Sequence, residues 1–304
     1  MDDLRARLAR GEVLVGDGAW GTQLMQRGLP PGRPPEWFAL ERPELIEQVA
    51  RLYVEAGADL VTTDTFGGTS FRLKLHGLDA ERARVNRQAV EAVKRAVAGR
   101  ALVSASVGPS GQILEPYGDT SPDAVEAAFA EQIDTLAAAG ADVLCIETMS
   151  DLTEATCAVR AARAVAPHLP AMVTMTFEPH PRGYFTVMGV SVERAARDLE
   201  EAGADVVGSN CGTGIADMVG IARLFRASTA RPVLVQPNAG LPQTRDGQLV
   251  YDETPETMAA RVGELLDLGV AIVGGCCGTT PEHVRAIRRA VDAWVTNRAQ
   301  RRSS

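Results

Sequence analysis

Five cysteines occur in this 304-residue chain, and three of them stand in glycine-rich company. The segments are Asn210-Cys211-Gly212 and Gly274-Gly275-Cys276-Cys277-Gly278. Soft thiolates select zinc, so three converging cysteines make a Zn2+ site. A structural zinc site closes its tetrahedron with four side chains, whereas a catalytic one leaves a position open. Hydrolytic sites mostly use neutral imidazole, which lets the metal activate water. Three thiolates instead leave the centre with a charge of about −1, which activates water poorly. A fourth thiol arriving there stays electron-rich. A free thiol is only about 3% thiolate at pH 7, and metal binding removes that handicap. Such a site favours thiol alkylation.

Two other readings of these cysteines stand beside the metal. Cys276 and Cys277 could form a vicinal disulfide and a thiol-redox centre, or simply be two small buried residues. Neighbours in a regular strand point to opposite faces, so both reach one metal only if the backbone bends. Gly274, Gly275 and Gly278 offer that freedom. Cys145 and Cys157 read as packing residues. None of His76, His168, His180 and His283 is assigned to the metal, although His180 falls near the same rim.

These side chains need a scaffold, and a repeated phrase supplies it. Ala-Gly-Ala-Asp occurs at 56–59, 139–142 and 202–205, with a weaker copy, Leu-Gly-Val-Ala, at 268–271. Each copy ends an amphipathic helical stretch and opens a short β-branched run; the glycine suits a left-handed helix terminus. The glycines lie 83, 63 and 66 residues apart. A βα unit takes roughly 30 residues, so each gap hides another strand. The predicted strands cover 13–17, 60–63, 101–107, 143–146, 172–177, 206–209, 233–236 and 272–274. Eight strands alternating with helices predict a single (β/α)8 TIM barrel; an open doubly wound sheet is the alternative. One domain is expected over 1–295, followed by a polar tail, 296–304, that frays.

Barrel active sites lie at the C-terminal ends of the strands. Those ends carry Cys211, Cys276 and Cys277, together with two carboxylates, Asp17 and Glu147. A substrate ammonium is a natural partner for the pair; a structural cap or turn is the other explanation of each. The amides of Gly18 and of the turn Thr65-Phe66-Gly67-Gly68 suit a carboxylate. An amino acid bearing a thiol satisfies all three features. Homocysteine does so, and cysteine differs from it by one methylene.

Composition narrows the classes. Hydrophobic residues make up 45% and charged residues 23%, ordinary values for a globular chain with a sizeable core. A formal charge of −8 argues against a nucleic-acid partner. No apolar run approaches the roughly 18 residues of a membrane span, and the acidic N-terminus lacks a signal-peptide core. An odd cysteine count argues against a disulfide framework. A cytoplasmic protein with no membrane partner is expected.

The motifs Asp17-Gly18-Ala19-Trp20-Gly21-Thr22, Gly208-Ser209-Asn210-Cys211, Pro237-Asn238-Ala239-Gly240-Leu241-Pro242 and 274–283 resemble the homocysteine-binding domain (homocysteine S-methyltransferase) family. The likeness is strongest to the N-terminal homocysteine module of cobalamin-dependent methionine synthase. It spans nearly the whole chain, and the doubled cysteine with a distant Asn-Cys is highly specific. The resemblance implies a zinc-dependent methyltransferase of methionine biosynthesis. Zn2+ would sit on Cys211, Cys276 and Cys277. Asp17 and Glu147 would hold the ammonium, and amides near Gly18, Thr65 and Phe66 the carboxylate. Asn238 would cap the metal when substrate is absent. Nothing in the chain resembles a folate-binding barrel, a cobalamin-binding module or the oligomerisation arm of betaine-dependent relatives. The expected methyl donor is therefore a small onium compound or a methyl-corrinoid, methylcobalamin supplied in trans by a separate corrinoid or folate-linked partner. The alternative expectation is a homocysteine- and zinc-binding subunit of a multi-component methionine synthase, inactive alone.

Overall fold

The computed structural model describes residues 2–245 and 248–303. Eight parallel strands form one sheet: β1 (Leu14–Val15), β2 (Leu60–Thr62), β3 (Leu102–Val107), β4 (Val143–Met149), β5 (Ala171–Met175), β6 (Val206–Asn210), β7 (Val233–Gln236) and β8 (Ile272–Val273). From β2 to β8 each strand pairs with its neighbours in chain order, and β8 pairs with β1. A bridge between Gly16 and Leu60 brings β1 against β2. The sheet is thus a nearly closed (β/α)8 barrel rather than an open doubly wound one. A long helix follows each strand: α1 (Pro43–Glu55), α2 (Arg82–Val97), α3 (Pro122–Ala138), α4 (Leu152–Val165), α5 (Val192–Ala202), α6 (Ile215–Ser228), α7 (Pro255–Asp267) and α8 (Pro281–Ser303). The last helix runs on past Val295 through the polar residues at the end. Among the described residues, no helix is long and apolar enough to cross a membrane.

Side chains alternate in and out along each strand. One set of strand residues, with Val61, Val103, Val173 and Val207, packs outward against the helices. The other fills the barrel: Leu14, Leu60, Leu102, Val143, Met172, Val206, Leu234 and Ile272 form its lower layer. A short N-terminal helix, Leu4–Ala9, plugs the base with Leu4. Climbing each strand by two, the inward positions turn small and polar, as at Gly16, Thr62, Ser104, Cys145 and Gln236. The hydrophobic filling therefore stops below the mouth, where Ser106, Glu147 and Asn210 follow in the same parity.

The repeated phrase performs two tasks. Its glycines, at 57, 140, 203 and 269, all take positive φ between 84° and 104°, as a left-handed helix end requires. Its aspartates then clip neighbouring strands together. The Oδ2 atoms of Asp59, Asp142 and Asp205 each accept the backbone N–H of Val15, Val103 and Ala171, all at 2.8 Å. Their own amides return bonds to the carbonyls of the same residues. Asp59 serves the narrow β1–β2 seam and also pairs with Arg7 at 2.7 Å and Arg288 at 3.0 Å.

Asp59→Ala is expected to cost about 2–3 kcal/mol of unfolding free energy in a urea titration. Asp142→Ala loses the backbone bond but no ion pair and should cost about 1 kcal/mol. Equal losses would show that the two arginines add nothing to the seam.

Candidate metal and substrate site

Cys211 follows β6 directly, and its backbone is forced into the left-handed region, with φ 60°. Such strain in a non-glycine residue persists only where surrounding bonds hold it. Here the Cys211 amide donates to Gln236 O at 3.1 Å, and Thr213 N returns to Cys211 O at 2.8 Å. Cys276 and Cys277 lie beyond the short β8, already off the strand, so the alternation rule no longer separates them. Of the three neighbouring glycines, Gly278 alone takes a positive φ, 79°. Gly275 is needed for space instead, since a Cβ there would stand 2.5 Å from the Thr279 hydroxyl.

The cysteine loop is tied down on every side. Cys276 N donates to Pro237 O at 2.8 Å, and Ala239 N donates to Cys277 O at 2.9 Å. Thr279 Oγ1 donates to Cys276 O at 2.7 Å and accepts from Ala19 N at 3.1 Å. His283 is a structural clamp here, not a ligand. Its Nδ1 accepts from Thr280 N at 3.1 Å, so the proton resides on Nε2, which donates to Glu253 O at 2.9 Å.

The three sulfurs lie within 4.8 Å of one another, and Cys211 Sγ stands 3.7 Å from Cys277 Sγ. Tetrahedral zinc with bonds near 2.3 Å separates its sulfurs by about 3.8 Å. The donor set therefore fits zinc in both type and spacing. All five cysteines are free, and Cys145 and Cys157 are buried in packing positions. Hydrogen bonds from Cys276 and Cys277 hold the Cys211 thiol far below the usual range and push the other two up. The Asn238 amide lies against the Cys211 sulfur, while its buried Oδ1 has no partner among the described residues.

Glu147 sits where β4 breaks register with β5, between Ile146 and Met149, and where Thr148 adopts φ 60°. Glu147 Oε1 accepts from Ser106 Oγ at 2.5 Å and Oε2 from Asn210 Nδ2 at 3.2 Å. Burial raises its pKa to about 7; the Ser106 bond opposes this, and the charges of Asp17 and Cys211 add to it. Burial likewise raises Asp17 to about 6, against bonds from Trp20 and Thr62. Asp17 has a structural task as well. It accepts from Trp20 Nε1 at 2.8 Å, Thr62 N at 2.7 Å and Thr62 Oγ1 at 2.8 Å, closing the upper end of the β1–β2 seam. Two of the four acceptor sites on Glu147 remain open, against one on Asp17.

The glycine turn differs in detail from its expected use. The Thr65 amide donates to Thr63 O at 2.9 Å and its hydroxyl to Ser106 O at 2.7 Å, so Thr65 braces the turn and has no free N–H. Gly67 N donates to the buried Glu36 carboxylate, and Gly68 N to Thr65 O. Among the described residues, the amides of Gly18 and Phe66 are left without partners. Gln132 Nε2 holds Thr65 O at 2.8 Å, and Asn86 Nδ2 holds Gly68 O at 2.8 Å. Asn86, Gln132, Ser106 and Asn210 escaped sequence reasoning as site residues. The inward parity of β6 and β3 was the one signal that could have pointed to the last two. His180 lies on an exposed hairpin and takes no part.

A family profile described as homocysteine S-methyltransferase matches residues 14–291. The chain is 35% identical over 309 aligned positions to methionine synthase of Mycobacterium leprae (strain TN), covering 95% of this chain and 25% of that protein. It is 35% identical over 300 positions to methionine synthase of Mycobacterium tuberculosis (strain ATCC 25618 / H37Rv), covering 92% and 24%. Among solved structures it is similar to the metallated form of the homocysteine methyltransferase MmuM from Escherichia coli. There the TM-score is 0.79 at 25% identity, over 95% of this chain and 99% of that one.

The raised carboxylate makes a testable pH signature. An unfolded glutamate titrates near 4.3 and folded Glu147 near 7, so the folded state binds more protons between these values. The burial penalty is absent below that interval and complete above it. Relative to the parent, metal-free reduced Glu147→Gln should therefore gain about 2 kcal/mol of stability between pH 5 and pH 8 in urea unfolding. A pH-independent difference would mean that Glu147 is not desolvated.

Proposed function

The chain belongs to the homocysteine S-methyltransferase family, and on that footing we propose that it methylates the sulfur of homocysteine to give methionine, with one Zn2+ on Cys211, Cys276 and Cys277. The observation that carries the zinc reading is the sulfur spacing, three thiols within 4.8 Å at the C-terminal mouth of the barrel. The metal, when bound, supplies the positive charge that keeps a substrate thiol deprotonated at neutral pH.

The chain's own residues do the rest. Glu147 receives the substrate ammonium, assisted by the open acceptor site of Asp17. The free amides of Gly18 and Phe66 receive the carboxylate, with Thr65 bracing their turn. Asn238, whose buried Oδ1 has no partner among the described residues, would help hold the metal when substrate is absent. Held at both ends, the substrate presents its sulfur to an activated methyl group. One S–C bond forms, the donor–methyl bond breaks, and its electron pair leaves with the donor. No side-chain base is needed, and fixed orientation contributes to the rate. A small onium compound or a methyl-corrinoid on a separate protein suits this displacement.

A second reading is favoured by length. The chain covers 25% and 24% of the two methionine synthases, so it can be the homocysteine- and zinc-binding component of a larger system, inactive alone. Incubation of the zinc-loaded chain with homocysteine and S-methylmethionine, betaine or methylcobalamin separates the two. Methionine formed with any donor excludes the second reading.

Cys276→Ala should lose its zinc by metal analysis and its turnover together; normal zinc content in that variant sinks the ligand assignment. Glu147→Ala should keep zinc but raise the homocysteine KM roughly 10- to 100-fold, the worth of a charged hydrogen bond.

A further inference from the structure

Asn210 closes β6 immediately before Cys211, and its side chain is fully buried. Its amide oxygen is pinned by two donors, Thr148 N at 2.8 Å and Thr174 Oγ1 at 2.7 Å. That pinning fixes where the NH2 group points. Nδ2 lies 2.7 Å from Thr148 Oγ1, 3.2 Å from Glu147 Oε2 and 3.7 Å from Cys276 Sγ. Two N–H bonds therefore face three acceptors. One acceptor is local. The other two belong to opposite ends of the substrate site: the carboxylate for the ammonium and a sulfur for the metal. Among the described residues, no other side chain hydrogen-bonds to both.

A donor to a metal-bound thiolate draws charge from the sulfur and fixes its direction; groups in this role are commonly worth 10- to 100-fold in metal affinity. A donor to Glu147 likewise fixes the oxygen that meets the ammonium. We propose that Asn210 is a positioning residue that holds Glu147 and Cys276 in one mutual geometry, coupling recognition of the amino end of homocysteine to the metal end. The proposal rests on the functional reading above and adds a residue and a coupling to it. Thr148 strengthens it from the other side. Its left-handed backbone presents both its N–H and its hydroxyl to the same amide, so the strained turn of β4 and the metal-bearing end of β6 are locked through one side chain.

The test uses methionine, which carries the ammonium but no thiol, as the calorimetric probe, and zinc alone against a competing chelator. Asn210→Asp keeps the oxygen that Thr148 and Thr174 bond but replaces the donor. Asn210→Ala removes both. Each variant should weaken zinc roughly tenfold or more. Each should also weaken methionine roughly tenfold when Glu147 is present, and less than twofold in a Glu147→Gln background. Equal losses in both backgrounds, or unchanged affinities, overturn the coupling. In the parent protein, where folding is not at issue, the Asn210 side-chain NH2 resonance should shift on adding zinc and again on adding methionine. A resonance indifferent to both overturns it too. A parent that binds neither zinc nor methionine refutes the functional reading itself, whereas a parent that binds both while the variants do also refutes only the role of Asn210.

Discussion

Negative charge without a cation is the constraint around which the mouth of this barrel is organised. Asp17, Glu147 and the three cysteines converge there, and no arginine or lysine among the described residues pairs with any of them. Buried charges must be paired or they shift their protonation state. These groups take the second course. Glu147 and Asp17 are pushed toward the neutral form, as are the thiols of Cys276 and Cys277. A divalent metal and a substrate ammonium would relieve both strains at once. The site is thus poised to bind two positive groups at a spacing set by the chain.

That spacing depends on where the fold spends its rigidity. The β1–β2 seam has one bridge, yet carboxylates clasp it at both ends, Asp59 below and Asp17 above. Most of the acceptor capacity of Asp17 therefore belongs to the seam, with one site left for a ligand. Around the three cysteines the same economy recurs. Thr279, His283 and the backbone bonds to Pro237 and from Ala239 anchor the loop that bears Cys276 and Cys277 to its neighbours. Left-handed backbone at Thr148 and Cys211 stores strain at the two points where a strand must release a side chain into the mouth.

The position of the polar layer follows from packing. Bulky aliphatic residues fill the lower barrel, with Leu4 sealing the base. Two residues higher the inward side chains shrink, which opens volume and admits hydrogen-bonding groups. A substrate bound there as proposed would meet hydroxyls, amides and carboxylates whose own partners are already fixed. Preorganisation of this kind would lower the cost of orienting a reacting group.

Much of this was legible in one dimension. The repeated helix-ending glycine, the count of eight strands and the three rim cysteines depend on local spacing, and local spacing survives in sequence. The barrel followed from those features, and the family from the likeness of the motifs at 17–22, 208–211, 237–242 and 274–283. What needed three dimensions was the destination of individual hydrogen bonds. Thr65 looked like an amide donor, but its N–H turns back to Thr63. The repeat aspartates carried no assigned partner in the sequence, and in the fold they reach across to the preceding strand. Asn210 looked like a companion of Cys211, but it bonds to Glu147 and Cys276 from 63 and 66 residues away. Periodicity encodes which face a residue occupies; which partner it meets there is decided only when the eighth strand closes on the first and distant segments share one volume.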